Sequence, residues 1–560
     1  MSAYDERPWL ALYDEHVPTE LEAPFPDGVS MFDAAVRDHA DKPLVHYFGT
    51  TLSVADVDRQ SAALAAAMLQ QCGLERGDRV VVQLQNVPTF LIAMLAIWRA
   101  GAIMVPVNPM YKQRELEGLM RDSGAQVLIE QESLYPVVGK PAAEAAGITA
   151  VITTSELDFV ADPGSEGLFA NVVRNRAEGT HDLLELANAF DGQRPPPVEL
   201  GPDDTAFLVY TSGTTGPPKG AMNTHRNVVY NAEVYRQWVG LTPDDVVLAV
   251  APLFHVTGLV AHLAVAVLLP MPLVLGYRFD PAVMAELAEQ HRATWAMGSI
   301  TAFISLMHNP DACKRDLSAM TKVGSGGAPI APSTVQQFES QFGSYIHNIY
   351  GLTETTSPSH GTPWGQRAPV DPVSGALSVG VPVCGYTVRI VGEDRQELPV
   401  GEIGELVTEG PGVVPAYWNK PEESAKALPE GRLHTGDVGF MDSAGWFYIV
   451  DRQKDMIVAS GFKVWPREVE DVLYQHPAVR ETGVVGVADE YRGETVKAFV
   501  SLKAGAGVTP EELIAFCRER MAAYKYPRQV EIVDEIPKTV TGKVLRRELR
   551  DKEAGAQPSG

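Results

Sequence analysis

Residues 79–130 read RVVVQLQNVPTFLIAMLAIWRAGAIMVPVNPMYKQRELEGLMRDSGAQVLIE, and two textures alternate along them. Arg79–Leu84 is a run rich in β-branched residues, which suit the pleated surface of a strand. Pro88–Ala100 is almost wholly apolar and long enough for a buried helix, with Asn86 as its expected cap. Ala102–Val107 reads as a second strand, Gln113–Ser123 as a charged helix and Val127–Glu130 as a third strand. A β-α-β-α-β order implies parallel strands joined by crossover helices, with both faces of the sheet covered.

Outward from this stretch the alternation continues to about Tyr350. Arg194–Pro197 (RPPP) interrupts it and predicts a surface connection, since proline breaks both helices and central strands. Ala206–Tyr210 reads as a strand entering a Gly/Ser/Thr-rich loop. From Thr387 the texture changes to short strands with turn signals (TVRIV, GELVT, GWFYIV), which predicts a small β-rich unit. After Asp451 the chain becomes more charged, and it ends in a basic helix, Val544–Arg550, and a polar tail, Ala554–Gly560. The fold class expected is α/β: a large unit of packed α/β sheets with a β-rich subdomain over 1–451, then a small α+β domain over 452–560.

The 560 residues carry 46 Lys+Arg against 71 Asp+Glu, a net charge of −25, which argues against nucleic acid as a partner and against docking on anionic lipid. Cys72, Cys313, Cys384 and Cys517 are far apart and form no CxxC pair, so neither zinc nor a redox pair is signalled. With an acidic N-terminus unlike a signal peptide, the expected location is the cytoplasm. Leu259–Leu275 is apolar but short, holds His262 and is cut by Pro270 and Pro272, so a buried helix, a break and a buried strand are expected.

The sharpest motif is Tyr210–Gly220, YTSGTTGPPKG. Its glycines let backbone N–H groups close on an anion, Ser212, Thr214 and Thr215 add hydroxyls, and Lys219 adds a cation. It does not fit GxxxxGK[ST], because Pro218 stands where the second glycine belongs. In Tyr350–Glu354 (YGLTE) the aromatic ring can stack on a base and the carboxylate can hold a hard cation. Asp437, after a Thr-Gly turn, can accept hydrogen bonds from a vicinal diol, or simply serve the turn. His255, seven residues before His262, admits a metal or general-base reading and equally that of a buried, hydrogen-bonded histidine. Neither HExxH nor GxSxG occurs.

The loop resembles the phosphate-binding signature of the acyl-adenylate-forming superfamily, which contains acyl-CoA synthetases, luciferases and peptide-synthetase adenylation domains. Further signatures follow in the family's order: FHVTG at Phe254–Gly258, YGLTE at Tyr350–Glu354, HTGD at His434–Asp437, DRQKDMI at Asp451–Ile457 and PKTVTGKVLRREL at Pro537–Leu549. The resemblance spans nearly the whole chain. It implies activation of a carboxylic acid with ATP, Mg2+ as the metal and CoA as the second co-substrate. It assigns the reaction itself to Lys543, Glu354 (also the Mg2+ ligand), Thr214 and His255. It assigns nucleotide and CoA contacts to Thr211, Ser212, Gly213, Thr214, Thr215, Gly216, Lys219, Gly327, Ala328, Pro329, Asn348, Tyr350, Gly351, Thr353, Asp437, Arg452, Ser460, Gly461, Phe462 and Lys463. Val256, Thr257, Gly258, Gly298 and Ser299 are the expected acyl-pocket residues, and Lys454 the hinge on which the C-terminal domain turns.

Within the superfamily, Arg7–Leu10 (RPWL), Asn108–Glu117, Val464–Pro477 and LRRELRDKEAG at the end look closest to bacterial long-chain fatty-acid CoA ligases. The expected substrate is therefore a medium- to long-chain fatty acid. A coumarate-type aryl-CoA ligase and an enzyme loading a carrier protein remain alternatives. Membrane association at most weak and peripheral, and a homodimer, are both compatible with the sequence. The Pro/Gly-rich segment His360–Ser378 departs from the long-chain pattern and follows Glu354, where it can reshape the acyl entrance, which leaves chain length open but not adenylation.

Overall fold

The computed structural model describes residues 2–161, 167–170, 172–211, 218–372, 375–452, 455–459, 462–489, 493–539 and 544–556; for 451, 452, 458, 462, 463, 493 and 554–556 it gives the backbone alone. These residues form four sheets. The chain is α/β, as the alternation predicts.

The first sheet has seven strands, in the order His181–Asp182, Ala150–Thr154, Val127–Gln131, Arg79–Gln83, Ile103–Pro106, Thr205–Tyr210 and Gly220–Thr224. All its pairings are parallel except the last, where Thr205–Tyr210 and Gly220–Thr224 form an antiparallel hairpin. The second sheet has nine strands. Its parallel centre is Leu273–Val274, Val247–Leu248, Trp295–Gly298, Lys322–Ser325 and Ile346–Leu352. Pro43–Tyr47 adds in parallel to Leu273–Val274, and Thr50–Ser53 closes that edge.

A single apolar core joins both sheets: Val80, Val82 and Met104 of the first share it with Val45, Val247, Leu273 and Trp295 of the second. The helix Pro88–Arg99 lies in this core and every one of its residues is buried. A helix hydrophobic all round is stable only when covered on all sides. Its one charge, Arg99, is 5% exposed and meets Asp58 at 2.5 Å, and Arg194 of the RPPP connection caps the same carboxylate at 2.8 Å. Pairing is what makes a buried guanidinium tolerable.

Asn86 does not cap this helix; the cap position is Val87. The Asn86 amide instead donates to the carbonyls of Ala249 and Ala251 (both 3.1 Å) and accepts from the Leu253 amide (2.9 Å). A buried chain end with free backbone groups competes better for the asparagine than a proline-started helix, which lacks one donor already. Residues 259–275 form a π-helical turn, Leu259–Ala264, a short α-helix, Val265–Leu268, and the strand Leu273–Val274. Among the described residues no helix is long and apolar enough to cross a membrane.

The third sheet is an antiparallel meander, Thr387–Val391, Gly404–Glu409, Leu433–Met441 and Phe447–Arg452, matching the expected β-rich unit. The fourth, over Ile457–Ile532, has Gly493–Leu502 at its centre and carries the helices Pro466–Tyr474 and Pro510–Arg518. Trp465 packs against Val438 and Val450 of the meander.

Candidate functional site

A cleft of about 930 Å³ opens where the carboxyl ends of the second sheet meet the hairpin of the first and the meander. Open parallel sheets bind ligands at this end, because the loops leaving the strands diverge there. Thr211 and Lys219 line it from the hairpin, Gly326 and Gly327 from the loop after Lys322–Ser325, and Gly351 to Glu354 from the end of Ile346–Leu352. His255, Val256 and Thr257 line it from a third loop, Glu405 and His434 to Gly436 from the meander, and Met456 and Trp465 from the C-terminal portion.

The hairpin neck is closed by the Thr211 amide donating to the Lys219 carbonyl at 2.9 Å. Ser212, Gly213, Thr214, Thr215 and Gly216 lie outside the described residues between them, as do Lys454, Ser460, Gly461 and Lys543, and the side chains of Arg452, Phe462 and Lys463.

The Thr353–Ser357 turn is tightly held. Thr356 (φ 53°) and Ser357 (φ 80°) both adopt left-handed backbone, which costs on the order of 1–3 kcal/mol each. The surroundings impose it. Asn223 of the hairpin's return strand donates to the Thr353 carbonyl and to the Thr356 hydroxyl, both at 2.9 Å. Asn231 donates to the carbonyls of Thr355 (2.8 Å) and Thr356 (2.7 Å). The turn therefore holds Glu354 in the cleft, where its Oε1 accepts a 2.7 Å hydrogen bond from the Tyr417 hydroxyl.

The meander supplies a second clamp. Glu405 accepts from the Gly436 amide at 2.9 Å and meets the His434 ring at 2.8 Å. Asp437 follows, buried, in register with Arg452 and accepting the Tyr350 hydroxyl at 2.7 Å. The expected base-stacking ring and the expected diol acceptor are thus neighbours.

His255 accepts the Thr257 amide on Nδ1 at 3.4 Å. The same Nδ1 lies 3.2 Å from the Thr257 hydroxyl, which can donate to it too; with Nδ1 accepting both, the proton of the neutral ring is assigned to Nε2. Burial pulls its pKa down to about 4, so the ring is neutral at pH 7 and offers one N–H donor. That suits orientation of a carboxylate by a neutral donor.

A second cavity of about 160 Å³ adjoins the cleft, sharing His255, Thr257, Gly326 and Gly327 with it. Its deeper wall is Val250, Ala251, Gly298, Ser299 and Ala302, with Phe279 at the rim. Thr257, Gly298 and Ser299 are where the sequence places the pocket, while Val256 faces the main cleft. Gly258 lines neither: a Cβ there would lie 2.1 Å from the Pro252 carbonyl oxygen, so it is a packing glycine.

Three other positions lie outside the lining of both cavities. Asn348 is 3% exposed and donates to the Ser378 carbonyl at 2.9 Å, tying the strand Ile346–Leu352 to the segment that follows it. Ala328 packs behind the cleft and Pro329 points to solvent. The segment 360–378 lines neither cavity among its described residues; Trp364 stacks on His347 at 3.8 Å and Ala368 and Leu377 join the core around Phe338. Its prolines and glycines shape a packed return to the sheet.

Tyr417, Glu405 and Asn223 were missed. Tyr417 sits in an ordinary-looking AYWNKP stretch. The available signal was Asn223, a polar residue that is wholly buried within a strand.

The chain belongs to the family of AMP-binding enzymes: residues 32–418 match that family and residues 468–543 match the AMP-binding enzyme C-terminal domain. It is 37% identical to a long-chain-fatty-acid–CoA ligase of Bacillus subtilis (strain 168), with 98% of each chain covered. It is 35% identical to a feruloyl-CoA synthase of an Amycolatopsis species, over 90% of this chain and 95% of that one. Among solved structures it resembles the anthranilate CoA ligase AuaEII in complex with anthranoyl-AMP (TM-score 0.86, 25% identity, 97% of this chain and 99% of that chain).

The buried histidines make a test of the packing around this site. Burial pulls His225, His262 and His347 down to about 4 and His360 to about 3. The unfolded value is about 6.5, so between pH 6.5 and 4 the unfolded chain binds more protons and folding weakens on acidification. Each histidine contributes up to about 1.4 kcal/mol per pH unit in that window. Glu130, fully buried and pushed up to about 8, works the other way, costing stability as pH rises from about 4.5 to 8. With His46 and His255 also pulled down to about 4, one group against six leaves a net loss on acidification. Thermal melts at pH 6.5, 5.5 and 4.5 should show the midpoint falling at each step; a flat profile contradicts the burial.

Proposed function

We propose that this chain is an ATP-dependent acyl-CoA ligase that activates a long-chain fatty acid. The observation that carries the reading is the convergence of Lys219, Glu354 and neutral His255 on one cleft with a small apolar-walled cavity at its side. The likeness to a ligase of that name over 98% of both chains supports it. The enzyme is an acid–thiol ligase. In the first half-reaction a carboxylate oxygen attacks the α-phosphorus of ATP and pyrophosphate leaves. In the second, the CoA thiolate attacks the acyl carbonyl, the thioester forms and AMP leaves.

The roles follow the residues. His255 orients the carboxylate through Nε2–H. The hairpin residues 211–216 and Lys219 cradle the phosphates, Tyr350 flanks the adenine, and Asp437 with Arg452 receives the ribose. Lys543 supplies positive charge where it develops during adenylation. Residues 1–451 form the large domain and 452–560 the small one, turning at Lys454. Ser460, Gly461, Phe462 and Lys463 border the path of CoA. The enzyme works in the cytoplasm.

Mg2+ fits Glu354. Among the described residues no group of three or more His, Cys, Asp or Glu forms a metal cage, and of the carboxylates lining the cleft Glu354 is the one held there by the Thr353–Ser357 turn, near Lys219. Mg2+ is ordinarily held by one or two carboxylates with substrate phosphates and water. When bound it neutralises phosphate charge.

A second reading, an aryl acid as substrate, is favoured by the cavity. At about 160 Å³ it is close to the ~150 Å³ space that holds one benzene ring in an engineered core. A long chain must run out past Phe279 or part the wall. Purified enzyme with Mg-ATP, CoA and a graded panel of fatty and aromatic acids decides. Highest kcat/KM at twelve or more carbons is expected; turnover confined to benzoate- or cinnamate-like acids replaces the substrate, and acyl-AMP without thioester replaces the ligase with a carrier-loading enzyme.

A further inference from the structure

Tyr417 stands between the two charged groups that the phosphate reading relies on. It is 5% exposed and its backbone is locked to the hairpin: the Trp418 amide donates to the Gly220 carbonyl at 2.8 Å, and the Met222 amide to the Ala416 carbonyl at 3.1 Å. Its own amide donates to the Ser424 hydroxyl at 2.9 Å. Its ring lies 4.7 Å from the Lys219 ammonium, and its hydroxyl donates to Glu354 Oε1 at 2.7 Å. Lys219 and Glu354 both face the cleft, yet no ion pair joins them among the described residues.

An ammonium and a carboxylate facing one partly closed cleft attract each other strongly, since the local dielectric is below that of water. Left alone they would collapse into a pair, and each would be lost to the ligand. A tyrosine can satisfy both at once. Its ring face attracts the cation, and its hydroxyl donates to the anion. The two contacts reinforce each other, because a phenol that donates to a carboxylate gains electron density in its ring.

We propose that Tyr417 is a positioning residue that holds Lys219 and Glu354 apart, keeping the ammonium free for the polyphosphate of ATP and the carboxylate free for the divalent cation. This rests on the reading of Glu354 as the metal carboxylate and Lys219 as a phosphate contact. In the absence of Tyr417's hydroxyl, Glu354 turns to Lys219 and captures it. The capture costs ATP affinity even where no metal is present, and removal of the Glu354 charge reverses it.

Calorimetric titration of the full chain with ATP in excess EDTA reads the capture directly, on wild type, Y417F, E354Q and the Y417F/E354Q double variant. Tyr417→Phe keeps the ring and the backbone contacts, so the fold is retained. Y417F should bind metal-free ATP about tenfold more weakly, the worth of one hydrogen bond to a charged group. The double variant should return to within about twofold of E354Q. Y417F binding ATP like wild type, or a double variant as weak as Y417F, overturns the proposal, the latter by showing a merely structural role. Repeating the titrations with Mg2+ separates the underlying reading: E354Q should lose most of the Mg2+ enhancement of ATP binding, and if it keeps it, Glu354 is not the metal carboxylate whatever the EDTA arm shows.

Discussion

Lys543→Ala enzyme should form acyl-AMP at least about a hundredfold more slowly than wild type, while making thioester from supplied acyl-AMP and CoA within about threefold of the wild-type rate. The size follows from the loss of a preorganised positive charge at the developing transition state. Such losses cost about two to three orders of magnitude. The asymmetry follows from the proposed turn of the C-terminal domain at Lys454, which would take this lysine away from the nucleotide before CoA reacts. The described residues on either side of Lys543 are firmly placed. Lys538 and Val544 are bridged, and the Leu545 amide donates to the Pro537 carbonyl at 2.8 Å. Arg546 pairs with Glu470 at 2.9 Å, and Arg546 and Arg550 both pair with Asp455. The terminal helix is thereby bound to Asp455, beside the proposed hinge, so a turn there would carry the helix and the segment before it together. Single-turnover assays of the two half-reactions check this. Equal losses in both would remove Lys543 from its assigned half-reaction.

Gly351→Ala should lower kcat/KM by about a hundredfold or more and folding stability by roughly 1–3 kcal/mol. A Cβ at this position would stand 2.1 Å from the Ser357 carbonyl oxygen and 3.2 Å from the Pro358 Cα. Both are backbone atoms of the paired strand and cannot swing aside. The strands must part, and the Thr353–Ser357 turn between them moves with Glu354. A shift near 1 Å in a positioning element is enough for a loss of this size. Gly507→Ala is the control, since its Cβ meets nothing within 4 Å; it should stay within about 0.5 kcal/mol of wild type. Urea unfolding together with steady-state kinetics tests both. An active, stable Gly351→Ala enzyme would falsify the close approach.

The local architecture was legible wherever apolar periodicity and length agreed. The helix Gln113–Ser123 has the bounds its charged stripe predicts, and strands over Arg79–Gln83, Ile103–Pro106 and Val127–Gln131 sit within two residues of expectation. The meander was legible for the same reason. What escaped is what depends on distant partners. Asn86 looks like a helix cap in sequence but serves carbonyls more than 160 residues away. The proline-rich segment looks like an open entrance but is tied down by Trp364 stacking on His347. In the site, glycine- and hydroxyl-rich motifs announced themselves, because phosphate chemistry needs unusual composition. Tyr417 did not, because a tyrosine that spaces two charges looks in sequence like any core tyrosine.

The edge of the nine-stranded sheet bears on how the protein is made. Pro43–Tyr47 pairs in parallel with Leu273–Val274, more than two hundred residues later in the chain. At a synthesis rate of about 5–20 residues per second, its partner leaves the ribosome roughly 10–45 seconds after it does. Throughout that interval the hairpin Pro43–Ser53 has an apolar face and an unpaired edge in a nascent chain. The first sheet can gather around its own parallel strands meanwhile, but its inner face stays uncovered until the second arrives. The sheet edge therefore cannot close during synthesis until well after the chain that forms it has emerged.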